Sequence, residues 1–109
     1  MSDFVDRKLT EEEFKLIKES VEIDGIFIMQ EFSYRQDIIN KMNNNTFINI
    51  SDAIFYAPFV VLCLKERNNI LSNEVKNEFN ETKKQQLRQK LYLCNNLWRM
   101  INHYFAELY

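Results

Sequence analysis

The chain has 109 residues, of which 46% are hydrophobic, and a formal net charge of −2. That supply of apolar side chains excludes a disordered chain, and a charge so close to neutral points to no particular partner. Glycine and proline occur once each, at Gly25 and Pro58. Because hairpin turns and phosphate-binding loops need residues that tolerate positive φ, the composition disfavours both an all-β fold and a nucleotide-binding loop. We therefore expect a single all-α domain over residues 1–109.

The first predicted helix begins after Thr10, which is followed by three glutamates. This pattern matches a capping box, in which the Thr10 hydroxyl accepts from the amide of Glu13 and the Glu13 carboxylate accepts from that of Thr10. Leu9 and Phe14 occupy the two positions of a hydrophobic staple. We expect residues 1–8, which precede these signals, to be loose.

A second helix is predicted over residues 26–42. Asp24-Gly25 either ends the first helix or is a weak point within a longer one, and three asparagines at 43–45 predict a loop after the second. The start of the segment is rich in β-branched residues, but its apolar residues recur at helical spacings of three or seven. These residues are Met29, Phe32, Ile39 and Met42.

A third, buried helix is predicted over the apolar run 53–64, with Asn49 or Ser51 as its cap. Pro58 must either kink this helix or restart it as the first residue of a new segment. We expect Asn68-Asn69 to end the element.

A short fourth helix, capped by Ser72, is expected next, and the polar residues 80–86 predict either a break or a solvated stretch of helix. In the C-terminal segment 87–109, two adjacent apolar stripes recur at alternating spacings of four and three. Together they make an apolar face wider than one neighbouring helix covers. We predict a compact bundle of four to five helices with a long C-terminal helix, whose face binds another protein or a second copy. The predicted contact residues are Leu91, Trp98, Ile101, Phe105 and Leu108.

Large apolar side chains exceed what a four-helix core of this length readily hides, which also favours a docking surface. The side chains in question are Phe27, Phe55, Tyr56, Phe59, Trp98, Tyr104, Phe105 and Tyr109.

Charge is distributed unevenly along the chain. Residues 1–40 hold ten acids and five bases, whereas residues 83–99 hold five bases and no acid. The favoured interpretation is a solvated helix face that meets the acidic first helix within the fold. The alternative is a surface for an acidic partner or a nucleic acid. Its contacts would be Lys83, Lys84, Arg88 and Lys90.

Residues that could bind metal or act as nucleophiles are few. The single histidine is His103, and the two cysteines, Cys63 and Cys94, lie in apolar runs. We expect buried free thiols in a reducing, cytoplasmic compartment, and neither a metal site nor a cofactor. The longest apolar run is too short to span a bilayer, so no membrane contact is expected.

The segment 96–104, which contains Arg99 and His103, resembles the nuclease motif of the HEPN family of small helical ribonucleases. In that family an Arg, a polar residue and then a His lie late in a bundle of four to five helices, often with a Tyr nearby. The resemblance implies metal-independent RNA cleavage, in which Arg99 stabilises phosphate charge and His103 moves a proton. The spacing of four residues is one short of the usual pattern.

The other interpretation of Arg99 and His103 is a polar, solvent-facing strip between the two apolar stripes. On this interpretation the chain is not an enzyme and acts by binding another protein, as an inhibitor, immunity protein, antitoxin or adaptor does. The abundance of Asn, Ile and Lys is typical of AT-rich genomes, which suits a phage, viral or plasmid source. We favour this function over a nucleic-acid-binding regulator and over the ribonuclease.

Overall fold

The computed structural model describes residues 5–28 and 33–108, and within those ranges it contains five α-helices, one 3₁₀ turn and no strand. The predicted all-α bundle with a long C-terminal helix is confirmed. The helices are α1 (Glu11–Ile23), α2 (Ser33–Asn43), α3 (Ile50–Phe55), α4 (Ala57–Asn77) and α5 (Glu81–Leu108), and the 3₁₀ turn is Asp24–Phe27.

The start of α1 has the predicted capping box. The Glu13 amide donates to Thr10 Oγ1 at 3.1 Å, and the Thr10 amide donates to Glu13 Oε1 at 2.8 Å. Arg7 adds two bonds, from Nη1 and Nη2 to the two Glu13 oxygens, at 2.7 and 2.8 Å. Leu9 and Phe14, the expected staple, are half-buried against the core. One carboxylate therefore fixes both the first turn of α1 and the chain before it.

The residues before α1 are tied to the start of α3. The Ser51 amide and hydroxyl donate to Asp6 at 2.9 and 2.8 Å, and the Leu9 amide donates to the Ile48 carbonyl at 2.8 Å. Residues 1–8 were expected to be loose, but these contacts fix the chain just before α1. Residues 1–4 lie outside the described part of the chain.

Replacing Glu13 by Gln is expected to lower the free energy of unfolding by about 1 kcal/mol at neutral pH. Gln retains the capping geometry but loses the charge-assisted bonds from Arg7. Those bonds, against the opposing effect of burial, hold the pKa of the Glu13 carboxyl below its ordinary value of 4.5. A carboxyl with a lowered pKa in the folded state stabilises that state above the unfolded pKa, and the contribution is lost as the pH falls through the folded pKa.

Urea unfolding at neutral and acidic pH measures this effect. The difference between wild type and Glu13→Gln should disappear in acid. The exposed neighbour Glu12, changed to Gln, is the matched control and should cost only a few tenths of a kcal/mol. Equal costs for the two variants would show that the Arg7 bonds contribute nothing.

The helix predicted over residues 26–42 begins later than expected. α1 ends at Ile23, the 3₁₀ turn follows, and Ile28 is extended, with φ −94° and ψ 98°. The α-helical residues of this segment start at Ser33. Ile28 follows the extended preference of a β-branched residue and Ile26 lies in the 3₁₀ turn, so the prediction of an α-helix over residues 26–28 is wrong. Met29 and Phe32, which supported it, lie outside the described residues.

Gly25 lies where the 3₁₀ turn meets α4. A Cβ atom at this position would stand 3.0 Å from the Phe59 ring and 3.4 Å from the Arg35 side chain. The single glycine of the chain therefore allows a close approach between elements. The predicted loop at 43–45 is confirmed: α2 ends at Asn43, and Asn45 has φ 58°.

The apolar run 53–64 is shared between two helices, α3 and α4, which are separated at Tyr56. Asn49 precedes α3 and its amide donates to Asp52 Oδ2 at 2.8 Å. α3 ends at Phe55, and Pro58 lies in the first turn of α4, where its missing N–H leaves no hydrogen bond unmade. Of the two outcomes expected at Pro58, a kink or a restart, the structure has the restart, and the new helix begins one residue earlier, at Ala57.

The predicted stop at Asn68-Asn69 and the predicted cap at Ser72 are both wrong, because α4 continues without a break to Asn77. Leu64 and Leu71 lie on one side of α4 and are buried at 0% and 1% exposure, so packing holds the helix through the asparagines. The chain then breaks at 78–80, and the polar stretch beyond is the solvated first part of α5.

A chain of charged side chains joins α1 to the α4–α5 pair. Arg67 Nε and Nη2 donate to the two oxygens of Asp24 at 2.8 and 2.9 Å, and Arg67 Nη1 lies 3.4 Å from Glu19. Glu19 in turn accepts from Lys90 Nζ at 2.7 Å. Lys90 of the basic segment therefore meets the acidic first helix inside the fold, as the favoured interpretation expected.

Candidate binding surface

The far end of the α4–α5 pair extends beyond the core. Leu71 is the final buried residue of α4, and Cys94 is the first buried residue of α5. No residue between 72 and 93 is buried. We name residues 72–93 the arm. Phe79, at its tip, is 95% exposed. The arm therefore stands outside the core, although Lys90 within it still reaches Glu19 of α1.

One side of the pair forms a groove with α4 and α5 as its walls. Its lining includes Tyr92, which is 70% exposed, and Asn68, whose Oδ1 is buried and accepts no hydrogen bond from the described residues. No residue of α1, α2 or α3 lines it. The lining residues are Asn68, Ser72, Arg88, Leu91, Tyr92 and Asn95.

Basic residues continue this side at both ends of the groove. On α4, Lys65 is three residues before Asn68 and Lys76 is four after Ser72. On α5, Lys84 is four residues before Arg88 and Arg99 is four after Asn95. Residues at these spacings share a helix face. The surface thus carries five cations and no carboxylate. We name it the open face: Lys65, Asn68, Ser72 and Lys76 of α4, with Lys84, Arg88, Leu91, Tyr92, Asn95 and Arg99 of α5.

The cations of the open face differ in their ion pairing from Lys90, which points towards α1. Lys90 is paired with Glu19, whereas Lys84, Arg88 and Arg99 form no ion pair with any residue that the structure describes. Two acids of the arm, Glu74 and Glu78, lie on its other side, where they flank the half-buried Ile70 and Leu87. The third acid, Glu81 in the first turn of α5, is three residues before Lys84 and shares its helix face. Apart from Glu81, the two sides of the arm are opposite in charge.

Comparison of the chain with protein-family models, with curated proteins and with solved structures finds no match.

The residues predicted to contact a partner are separated by the fold. Leu91, Trp98 and Phe105 are all half-buried against the core, and of the three Leu91 also lines the groove of the open face. Ile101 is wholly buried, at 0% exposure, so it contributes to the core and not to a surface. The side chain of Leu108 lies outside the described part of the chain.

Phe79 and Tyr92, the most exposed aromatic side chains on and beside the open face, were not among the predicted contact residues. Both lie off the apolar stripes, and an isolated aromatic residue among polar ones was the only available signal. Of the predicted surplus away from the arm, Phe27 and Phe55 are 75% and 66% exposed, and Tyr56 and Phe59 are buried. Tyr109 lies outside the described residues.

The predicted nucleic-acid contacts are also separated. Arg88 and Lys84 belong to the open face, Lys90 is engaged by Glu19, and Lys83 lies on the side of α5 that faces away from the groove.

Arg99 and His103 lie one turn apart on the exposed side of α5. His103 Nε2 is 3.2 Å from Glu107 Oε1, and its ring packs edge-on against Tyr104 with centroids 5.1 Å apart.

The two thiols are unreactive at neutral pH. Cys63 and Cys94 are buried and unpaired, and burial raises the pKa of each to about 12. Both are protonated at neutral pH and are poor nucleophiles. Among residues 5–28 and 33–108, no three His, Cys, Asp or Glu side chains are grouped as metal ligands. No helix in the same ranges is long and apolar enough to cross a membrane.

Proposed function

We propose that this chain is a non-catalytic binding protein that acts by holding another protein against the open face. The observation that carries the proposal is an apolar centre, formed by Leu91 and the 70% exposed Tyr92, surrounded by cations that have no partner in the described chain. Protein interfaces have this arrangement, with Tyr and Arg as frequent anchors inside a polar rim. Inhibitors, immunity proteins, antitoxins and adaptors of phage, viral or plasmid origin act in this way.

Charge supports a different protein over a second copy as the partner. In a two-fold symmetric dimer the same patch meets itself, so Arg88, Arg99 and the lysines of one open face would approach those of another. Like charges in an interface oppose association. The partner surface that fits the open face is therefore acidic.

One further observation supports binding without catalysis: the thiols of Cys63 and Cys94 are protonated and enclosed, which makes both of them poor nucleophiles. Buried free cysteines also suit a reducing, cytoplasmic location.

Quantitative affinity capture with variant chains tests the proposal. Wild type should recover one stoichiometric protein, and Tyr92→Ser should recover it at least about tenfold less well, since a buried aromatic anchor contributes more than 1.4 kcal/mol. Phe55→Ser is the matched control, because Phe55 is 66% exposed but lies on α3, away from the arm. Equal recovery by wild type and Tyr92→Ser, or recovery of this chain alone, would contradict the proposal.

A further inference from the structure

We infer that the open face receives an acidic, amphipathic helix of the partner protein, which lies along the groove between α4 and α5. This inference rests on the proposed function and specifies the chemistry of the partner.

The shape of the open face suits a third helix. Two packed helices present a lengthwise groove into which the side-chain ridges of another helix fit. From Lys65 to Lys76 the face extends about 16 Å along α4, and from Lys84 to Arg99 about 22 Å along α5. A helix of about 11–15 residues matches these lengths at 1.5 Å per residue.

The charge of the open face selects an acidic occupant. The cations lie on both rims, with Lys65 and Lys76 on α4 and Lys84, Arg88 and Arg99 on α5. A helix with glutamate or aspartate on both flanks would place carboxylates beside both rims. Arginine adds specificity here, because its planar donors match a carboxylate with two parallel hydrogen bonds.

The centre of the groove supplies the apolar contact. Leu91 lies in the lining, and the exposed ring of Tyr92 stands beside it, so an apolar stripe on the occupant would bury both.

The charge of the remaining chain favours an acidic protein over a nucleic acid. Outside the five cations of the open face the chain holds 16 acids and 9 bases, and the sequence pI is about 5.4. A polyanion that extends beyond the open face would meet this acidic body, whereas nucleic-acid-binding domains are typically basic, with a pI above about 9. A single short helix meets only the open face.

Fluorescence anisotropy with defined probes tests the inference on the full-length chain. The first probe is a labelled peptide of about 15 residues with leucines on one face and glutamates on both flanks. The second has lysine in place of every glutamate. The third and fourth are a DNA duplex and a single-stranded RNA of similar length. We expect the acidic peptide alone to bind, and its affinity to fall as salt is raised.

Charge reversal on the open face should weaken this binding. We expect Arg88→Glu combined with Arg99→Glu to reduce the affinity of the acidic peptide at least tenfold. Lys15→Glu applies the same kind of charge reversal on α1, where Lys15 is 71% exposed and remote from the groove. That control should change the affinity less than about twofold.

Three results would overturn the inference: no binding of the acidic peptide, equal or tighter binding of the lysine peptide, or tighter binding of the DNA or RNA. The proposed function fails separately, if capture of the partner is unchanged by Tyr92→Ser. Suppose that Tyr92→Ser loses the partner but the Arg88→Glu/Arg99→Glu variant retains it. That result would support the proposed function and contradict the inference that the partner contributes an acidic helix.

Discussion

Replacing Arg67 by Met is expected to lower the free energy of unfolding by about 3–5 kcal/mol. The Arg67 side chain is 8% exposed and donates to both oxygens of Asp24, whose side chain is 1% exposed. Met keeps the apolar stem but removes the guanidinium, so Asp24 is left as a buried carboxylate without a counter-charge. Urea unfolding, followed by the fluorescence of Trp98, measures the change.

The pH dependence of the Arg67→Met variant provides a second readout. Burial raises the pKa of the Asp24 carboxyl, and the bonds from Arg67 act against that rise. Without Arg67 the pKa should rise further. A carboxyl whose pKa is raised in the folded state weakens that state when ionised, so the variant should regain stability relative to wild type as the pH falls through the folded pKa of Asp24.

The double variant Asp24→Asn/Arg67→Met separates an unpaired charge from a loss of packing. It removes both charges and should be more stable than Arg67→Met alone. A cost below about 1 kcal/mol for Arg67→Met, or a double variant no more stable than the single one, would show that this ion pair does not hold α1 to α4.

Local signals predicted the helix starts because the groups that form them are close in sequence. The box at the start of α1 involves only Thr10 and Glu13, and the restart of α4 depends on the ring of Pro58. The end of α4 was not predictable in this way. Asn68 and Asn69 are ordinary stop signals, but Leu71 packs in the core one turn later, and burial of that side chain outweighs a few tenths of a kcal/mol of local preference.

The open face could be predicted only in part, because it belongs to two helices. The acid-free run 83–99 revealed the basic side of α5, but no spacing in one helix indicates that Lys65 and Lys76 of α4 lie beside it. Periodicity alone also does not distinguish Leu91 from Ile101, because both belong to the same apolar stripe of α5. Their burial differs because the core encloses Ile101 fully, whereas it covers only part of the Leu91 side chain, which also lines the groove.

Replacing Ile101 by Ala is expected to lower the free energy of unfolding by about 2–5 kcal/mol, the usual cost of a cavity at a fully buried position. Ile101 has 0% exposure and belongs to the central cluster of buried residues. Phe79→Ala is the matched control at the 95% exposed tip of the arm, and its cost should stay within about 0.5 kcal/mol. Urea unfolding of the two variants measures both effects.

Partner binding should respond in the opposite way, because Ile101 and Tyr92 are nine residues apart and so lie on opposite sides of α5. Below the unfolding transition, Ile101→Ala should capture the partner as well as wild type does. Tyr92→Ser should leave stability within about 0.5 kcal/mol of wild type and lose the partner. If Ile101→Ala stays stable and loses the partner, α5 uses its inner stripe for binding, and the separation of core from open face is wrong.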